Sequence, residues 1–314
     1  MHARSLGKTG LHVLELGLGT WGLSGDGYGP VSEATQQKVL ERAVEMGISL
    51  IDTADAYGGG RMEQLVGRVL ADRRDVVVVT KGGTDRTTSP PRKRFDGPYL
   101  RQAVERSLRR LARRQIDLYL LHNPSPAALE GGEAVDTLAE LKAEGKIGHW
   151  GVSIGDVEVG RSAIRCGAEV LEIAYNLVNS SDLHRLAGDI VVSGVGVLAR
   201  STLAHGLLAA RWTKDQEFPA DDHRADRWTK PELELRIQQL SALRFLVHGD
   251  VTTMRAAAVR FVLANRLVSC AVLGPRSVPQ LEELVREVGM GPLYLRDEDL
   301  MRVPRALESV GIQP

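Results

Sequence analysis

Four side chains of this 314-residue chain carry chemistry at telling positions: Asp52, Tyr57, Lys81 and His122. Val44, Met46, Ile48, Leu50 and Ile51 lead into Asp52, and Tyr57 follows five positions later. After Tyr57 come Gly58, Gly59 and Gly60, a run that breaks either regular structure. Lys81 ends Val76-Val77-Val78-Val79-Thr80, and His122 ends Leu118-Tyr119-Leu120-Leu121. One such residue at a strand end reads as a cap for the next helix. Three at the ends of successive strands are hard to place structurally, because each buried charge costs several kcal/mol unless paired. Together they suit acid catalysis. An isolated tyrosine ionises at about pH 10, too high for efficient proton donation near neutrality, and a neighbouring ammonium lowers that value by stabilising the phenolate. Asp52 would keep Lys81 charged, and His122 would orient a carbonyl oxygen by hydrogen bonding. Such a site protonates a developing alkoxide, the acid half of a carbonyl reduction, whose hydride must come from a nicotinamide.

These residues need elements to hold them. Apolar, strand-like runs alternate with helical periodicity from Leu14 onward. The strand candidates are Leu14 to Gly19, Ser49 to Thr53, Val76 to Lys81, Asp117 to His122, Gly148 to Ser153, Val170 to Tyr175, Ile190 to Leu198 and Val268 to Leu273. Spacings of three and four mark helices such as Thr35 to Met46, Tyr99 to Leu111, Ala134 to Ala143 and Met254 to Leu263, with a further helix near Pro279 to Val288. The alternation predicts a parallel sheet closed into a single (β/α)8 barrel, a TIM barrel, with chemistry at the C-terminal ends of its strands. An open doubly wound sheet competes. Its glycine turn is nearly supplied by Gly17-Leu18-Gly19-Thr20-Trp21-Gly22, but the helix that should start there is displaced past Val31. Before the first strand, Arg4 to Val13 reads as a β-hairpin around Gly7-Lys8-Thr9-Gly10. Gly7-Lys8-Thr9 is not a phosphate-binding loop, because His2 stands where that motif needs glycine and no strand precedes it.

Composition narrows the classes. With 43% hydrophobic and 25% charged residues the chain reads as an ordinary globular protein, and residues 1–314 are expected to form one domain. Forty basic residues balance forty acidic ones, which gives no electrostatic case for nucleic acid or an anionic membrane surface. No apolar run reaches membrane-span length and Met1-His2-Ala3-Arg4 lacks a signal-peptide core, so the expected location is cytoplasmic. Cys166 and Cys270 fit neither a disulfide framework nor a metal site, and read as small hydrophobes.

The motifs resemble those of the aldo-keto reductases, from Leu16-Gly17-Leu18-Gly19-Thr20-Trp21 to Arg276-Ser277-Val278-Pro279-Gln280-Leu281-Glu282-Glu283. Asp-Thr-Ala-x-x-Tyr-Gly, strand-Thr-Lys, Leu-x-His-x-Pro and Gly-Val-Ser occur in that family's order. The resemblance implies a catalytic tetrad of Asp52, Tyr57, Lys81 and His122 with Tyr57 as general acid. It also implies NADPH/NADP+ lying extended across the barrel mouth, with extra helices in the loop after the seventh strand and in the tail. Thr20 and Trp21 match the first cofactor loop, with Asp52 beside them, and Ser153 matches the carboxamide contact. Ser201, Leu203 and Gly206 match the phosphate side; Gly274, Arg276, Gln280 and Glu283 match the adenosine end. A guanidinium at Arg276, near a helix N-terminus, suits a dianionic 2′-phosphate and argues for NADPH over NADH. Lys214 and Arg224, in the long loop Arg211 to Lys230, read either as pyrophosphate charges or as solvated ones.

The chain departs from the family pattern in four places. Ile154 replaces the usual Asn after the carboxamide serine, Glu172 the usual Gln of the sixth strand and Leu284 the usual adenine-reading Asn; Arg200 stands where many members stack a tyrosine on the nicotinamide. A planar guanidinium can still stack. Each lost amide contact removes roughly 0.5–1.5 kcal/mol. The substrate, a small carbonyl compound, should be walled by Trp21, Tyr28, the residues after His122, the loop with Trp212, Phe218 and Trp228, and the tail beyond Gly291. Two rival functions are a Schiff-base lyase using Lys81, which would need that amine neutral, and a non-catalytic NADPH-binding sensor or regulator on the same barrel. Oligomeric state is not encoded legibly.

Overall fold

A computed structural model describes residues 1–288 and 291–312. The chain opens with an antiparallel hairpin, β1 (Ala3–Ser5) and β2 (His12–Leu14). Barrel strands β3 (Leu16–Gly19), β4 (Leu50–Asp52) and β5 (Val77–Gly82) follow. A small antiparallel pair, β6 (Thr84–Asp85) and β7 (Arg92–Lys93), extends the loop after β5. The remaining barrel strands are β8 (Ile116–His122), β9 (Ile147–Ser153), β10 (Val170–Ala174), β11 (Gly196–Arg200) and β12 (Cys270–Leu273). The eight long-range strands pair in parallel in chain order, and β12 closes on β3. This is the expected (β/α)8 barrel.

The helices are α1 (Glu33–Glu45), α2 (Arg61–Val69), α3 (Gly97–Leu111), α4 (Pro126–Glu130), α5 (Glu133–Ala143), α6 (Val157–Arg165), α7 (Ser181–Ser193), α8 (Lys230–Gln239), α9 (Met254–Ala264), α10 (Val278–Glu287) and α11 (Asp297–Glu308). Their starts follow local chemistry. Ser32, Asp96, Asp156, Thr253 and Ser277 each accept a backbone N–H of the first turn, and Thr229 with Glu232 forms a capping box. Helix α8 lies in the loop after β11 and α11 in the tail, as expected. None of the described helices is long and apolar enough to cross a membrane.

The seventh barrel strand is shorter than Ile190 to Leu198 suggested. Ile190 to Ser193 belong to α7, which stops at Gly194 in the left-handed conformation (φ 68°), and the strand starts at Gly196. An apolar run cannot by itself separate a helix end from a strand start. Leu14 likewise pairs in the hairpin and not in the barrel.

Two packed layers result. Leu50, Val79, Leu118, Leu120, Val170, Leu198, Cys270 and Val272 fill the barrel, and Leu6 of the hairpin plugs its N-terminal end. Fully buried Glu15 anchors that end by accepting from His2 N at 3.1 Å and from Arg4 at 3.4 Å, and also from the Tyr294 hydroxyl. Tyr294 therefore places the chain after Gly291 at the closed end of the barrel. For its first residues this corrects the expectation that the tail walls the pocket; α11 beyond them packs on residues 240–246, and residues 313–314 lie outside the described ones. Only the opposite mouth, where β4, β5 and β8 deliver Asp52, Lys81 and His122, is open to chemistry. The strands meet closely below it: a Cβ on Gly151 of β9 would lie 2.1 Å from the Val170 carbonyl oxygen of β10. Gly151→Ala is expected to destabilise the fold by about 1–3 kcal/mol, read as a lower urea midpoint with unchanged slope. An unaltered midpoint would contradict this packing.

Candidate active site

Asp52 is set by backbone contacts before its side chain acts. Thr20 donates both its N–H, at 2.9 Å, and its hydroxyl, at 3.0 Å, to the Asp52 carbonyl. Beyond the strand ends, Thr53 N–H donates to Val79 O at 2.8 Å and Asp55 N–H to Lys81 O at 2.9 Å, tying the approach to Tyr57 to the strand of Lys81. Tyr57 opens a short 3₁₀ turn in which Gly58, Gly59 and Gly60 have φ of 58°, 63° and 91°, conformations that only glycine adopts cheaply. Asp26 accepts from Gly58 N–H at 2.5 Å and Arg86 donates to Ala56 O at 2.8 Å, so the turn is gripped from both sides.

The four candidate catalytic residues do meet. The buried Lys81 ammonium donates to Asp52 Oδ1, and also to Thr53 O at 3.2 Å. It lies 5.5 Å from the centroid of the Tyr57 ring, and the Tyr57 and His122 rings meet edge to face with centroids 6.1 Å apart. Burial opposes charge on Lys81, but the Asp52 and Glu172 carboxylates outweigh it and raise Lys81 above its ordinary value. Burial, then the Glu172 charge, pushes the Asp52 carboxyl up while Lys81 opposes the rise. For Tyr57 the expected lowering by Lys81 is present, but burial outweighs it and Asp52 and Glu172 add to the rise, so the phenol stays protonated well above neutrality. Burial, with Lys81, Lys93 and Arg200, holds His122 well below its ordinary value. Its imidazole is therefore neutral at neutral pH, able to hydrogen-bond an oxygen without competing as an acid.

Next to the tetrad the register aligns His122 with Ser153 and Ser153 with Glu172. Glu172 Oε1 is 3.4 Å from Lys81 Nζ, while Oε2 is buried without a partner among the described residues. Arg200 donates to Ile154 O at 3.0 Å and to Ser201 Oγ at 3.4 Å, bridging the ends of β9 and β11. Ile154 and Leu284 themselves turn into the outer core.

Ser201, Leu203 and Gly206 lie in the turn after β11, where Ser201 and His205 hold left-handed φ of 56° and 60°. At the start of α10, Gln280 accepts from the Arg276 N–H at 2.8 Å. The Arg276 guanidinium donates to Gly29 O at 2.9 Å and Pro30 O at 3.3 Å, leaving its buried Nε without a partner among the described residues. Gly274 is exposed beside it. Glu283 pairs with Arg211 at 3.1 Å and Arg255 at 3.0 Å and so braces the base of the long loop.

That loop crosses the mouth as a strap. Tyr28 and Asp222 form an isolated antiparallel bridge, and His223 N–H donates to Gly27 O at 2.9 Å. Trp21 and His223 pack with centroids 4.8 Å apart, and Tyr28 OH lies 3.1 Å from His205 Nδ1. Trp212 packs on Phe218 and Trp228 at 5.1 and 5.9 Å. Arg224 corrects the solvated reading of it. It ion-pairs with buried Asp222 and sits 4.7 Å over Tyr28 and 4.6 Å over Phe218, so its charge is already countered inside the strap. Lys214 is exposed on the loop. Sequence reasoning missed Asp26, Arg86, His205 and His223. Their partners lie 177 residues away for His205 and 32 for Asp26, so no local spacing announces them. Lys93, which donates to His122 O at 2.6 Å, was missed for the same reason.

The profile of the Aldo/keto reductase family matches residues 15–301. The chain is 30% identical to the aldo-keto reductase YhdN of Bacillus subtilis, over all of this chain and 96% of that one. It is also 30% identical to the NADH-specific methylglyoxal reductase of Escherichia coli, over 95% of this chain and 98% of that one. Among solved structures, the holo form of an aldo-keto reductase from Bacillus halodurans superposes with a TM-score of 0.83 at 28% identity, covering 98% of this chain and 96% of that one.

Proposed function

The chain belongs to the aldo/keto reductase family of nicotinamide-dependent oxidoreductases, and from that premise we propose that it reduces an aldehyde or ketone to the alcohol with NADPH, Tyr57 donating the proton. The observation that carries this reading is the buried Lys81 ammonium, bonded to Asp52 and 5.5 Å from the Tyr57 ring centre. A lyase would need that amine neutral, and the two carboxylates on it oppose neutrality. No observation favours a purely sensory role.

The mouth suits the cofactor. Buried His122 Nδ1 and Glu172 Oε2 lack partners among the described residues, and the strained φ at Ser201 and His205 is of a kind that persists where function requires it. Thr20, Trp21, Asp52, Ser153, Glu172 and Arg200 would surround the nicotinamide end, and Ser201, Leu203 and Gly206 the phosphates. Gly274, Arg276 and Gln280 would take the adenosine end, with Glu283 bracing the strap behind them. When bound, the nicotinamide supplies the hydride. The protein's part is the proton and its placement. Neutral His122 hydrogen-bonds the carbonyl oxygen and aims it at the Tyr57 hydroxyl. As the carbonyl carbon becomes tetrahedral, the oxygen gains charge and takes the Tyr57 proton. Lys81 stabilises the phenolate left behind, Asp52 holds Lys81 in place, and solvent restores the proton. The strap keeps bulk water away from the mouth.

Titration with NADPH and NADH, followed by tryptophan fluorescence and then by turnover of para-nitrobenzaldehyde, tests the reading. Tighter binding of NADPH and its oxidation on adding aldehyde are expected; binding of neither nucleotide would refute it. Cofactor choice has its own test, because a relative carries an NADH-specific name and because Arg276 already holds Gly29 and Pro30. Arg276→Ala is expected to weaken NADPH about 10-fold or more and NADH much less. Equal weakening of both would make Arg276 a clamp on the loop after β3 and not a reader of the 2′-phosphate.

A further inference from the structure

Lys81 carries more negative charge than its ion pair needs. Asp52 already bonds the ammonium, yet Glu172, 1% exposed, brings a second carboxylate to 3.4 Å. We propose that Glu172 keeps the acid proton on Tyr57 and thereby commits the site to carbonyl reduction over alcohol oxidation from neutral pH upward. The inference rests on the reading of Tyr57 as proton donor. Glu172 would act through Lys81 and Tyr57, as a positioning residue.

Charge counting makes the argument. Reduction begins with a neutral phenol; oxidation of an alcohol begins with a phenolate acting as base. A lone ammonium near the ring favours the phenolate, and one carboxylate on that ammonium cancels most of the effect. Once Asp52, whose carboxyl burial and Glu172 push up, is ionised as well, the second carboxylate makes the group of three net negative, and a net negative group opposes a phenolate within a few ångströms of it. The other charged and titratable groups facing this cluster are Arg200 from the end of β11, which works the opposite way; His122 from the end of β8, which is neutral, with Lys93 behind it on the His122 carbonyl; and the Cys270 thiol of β12, which burial and the Asp52 charge keep protonated. Arg200 is drawn aside toward the Ile154 carbonyl and Ser201, whereas Glu172 lies directly on Lys81. A glutamine at 172 would have the same shape and no net charge. Glu172 cannot alter the reaction's equilibrium; it sets the pH range in which each direction runs.

The test compares the full-length wild type with Glu172→Gln and Glu172→Asp, each with and without Tyr57→Phe. Subtracting the Tyr57→Phe spectrum removes the other tyrosines and leaves the phenolate absorbance of Tyr57 alone, with no cofactor present. In Glu172→Gln the Tyr57 phenolate should appear at a pH lower than in wild type by about one unit or more. The rising limb of para-nitrobenzyl alcohol oxidation should move by the same amount in the same direction, and Glu172→Asp should restore the wild-type limb. The oxidation limb decides the matter if alkaline unfolding precedes either titration. Coincident limbs in wild type and Glu172→Gln, or a shift to higher pH, would overturn the proposal. Failure of the underlying reading looks different: Tyr57→Phe would then keep full turnover, whatever Glu172→Gln does.

Discussion

Tyr57→Phe is expected to lower the turnover of an activated aldehyde by about 100-fold or more while leaving nucleotide binding nearly unchanged. The substitution deletes one hydroxyl and retains the ring. The edge-to-face contact with His122 at 6.1 Å and the placement over Lys81 at 5.5 Å both survive it, so the fold around the mouth should not move. What disappears is the only proton the arrangement delivers to the carbonyl oxygen. Steady-state kinetics beside a fluorescence titration separate the two effects. Unimpaired turnover would assign the proton to another group. Parallel loss of binding and turnover would make Tyr57 a wall of the nucleotide site.

Lys81→Met should be both inactive and markedly less stable, by about 3–5 kcal/mol, because it leaves Asp52 and Glu172 buried without their shared cation. The pH dependence of that loss follows from the sign of the carboxyl shift. Burial and the neighbouring acid already push the Asp52 carboxyl upward, and deleting Lys81 removes what opposes the rise. A carboxyl held above its unfolded value binds protons preferentially in the folded state, so stability falls as pH rises through the folded value. Urea unfolding of the variant should therefore give a higher midpoint at mildly acidic pH than at mildly alkaline pH. Adding Asp52→Asn and Glu172→Gln should recover much of the loss and abolish the pH dependence. A variant as stable as wild type at every pH would mean that the two carboxylates are not paired through Lys81.

The fold was legible because it is written in short-range patterns. Valine runs such as Val76 to Val79 can bury both faces of a strand, and Ser32, Asp96 and Thr253 start helices through bonds to N–H groups three residues away. The placement of Asp52, Lys81 and His122 at one mouth followed from the same patterns, since residues ending successive parallel strands must lie together. The boundary at Gly194 was not legible, because both the end of α7 and the start of β11 are apolar and only the left-handed glycine divides them.

The sequence by itself determined the barrel, the family and the meeting of four reactive side chains, since each depends on the order and spacing of residues along the chain. Only the tertiary structure decided how those side chains are charged and what closes over them. The balance at Tyr57 depends on Glu172 reaching Lys81 from a strand more than ninety residues away, and on burial that no local pattern measures. Arg224 and Asp222 are near neighbours, yet that their pair packs on Tyr28 as the inner face of a strap is set by a bridge across nearly two hundred residues. Coulomb and desolvation energies depend on distance in space, and the chain encodes that distance only once it has folded.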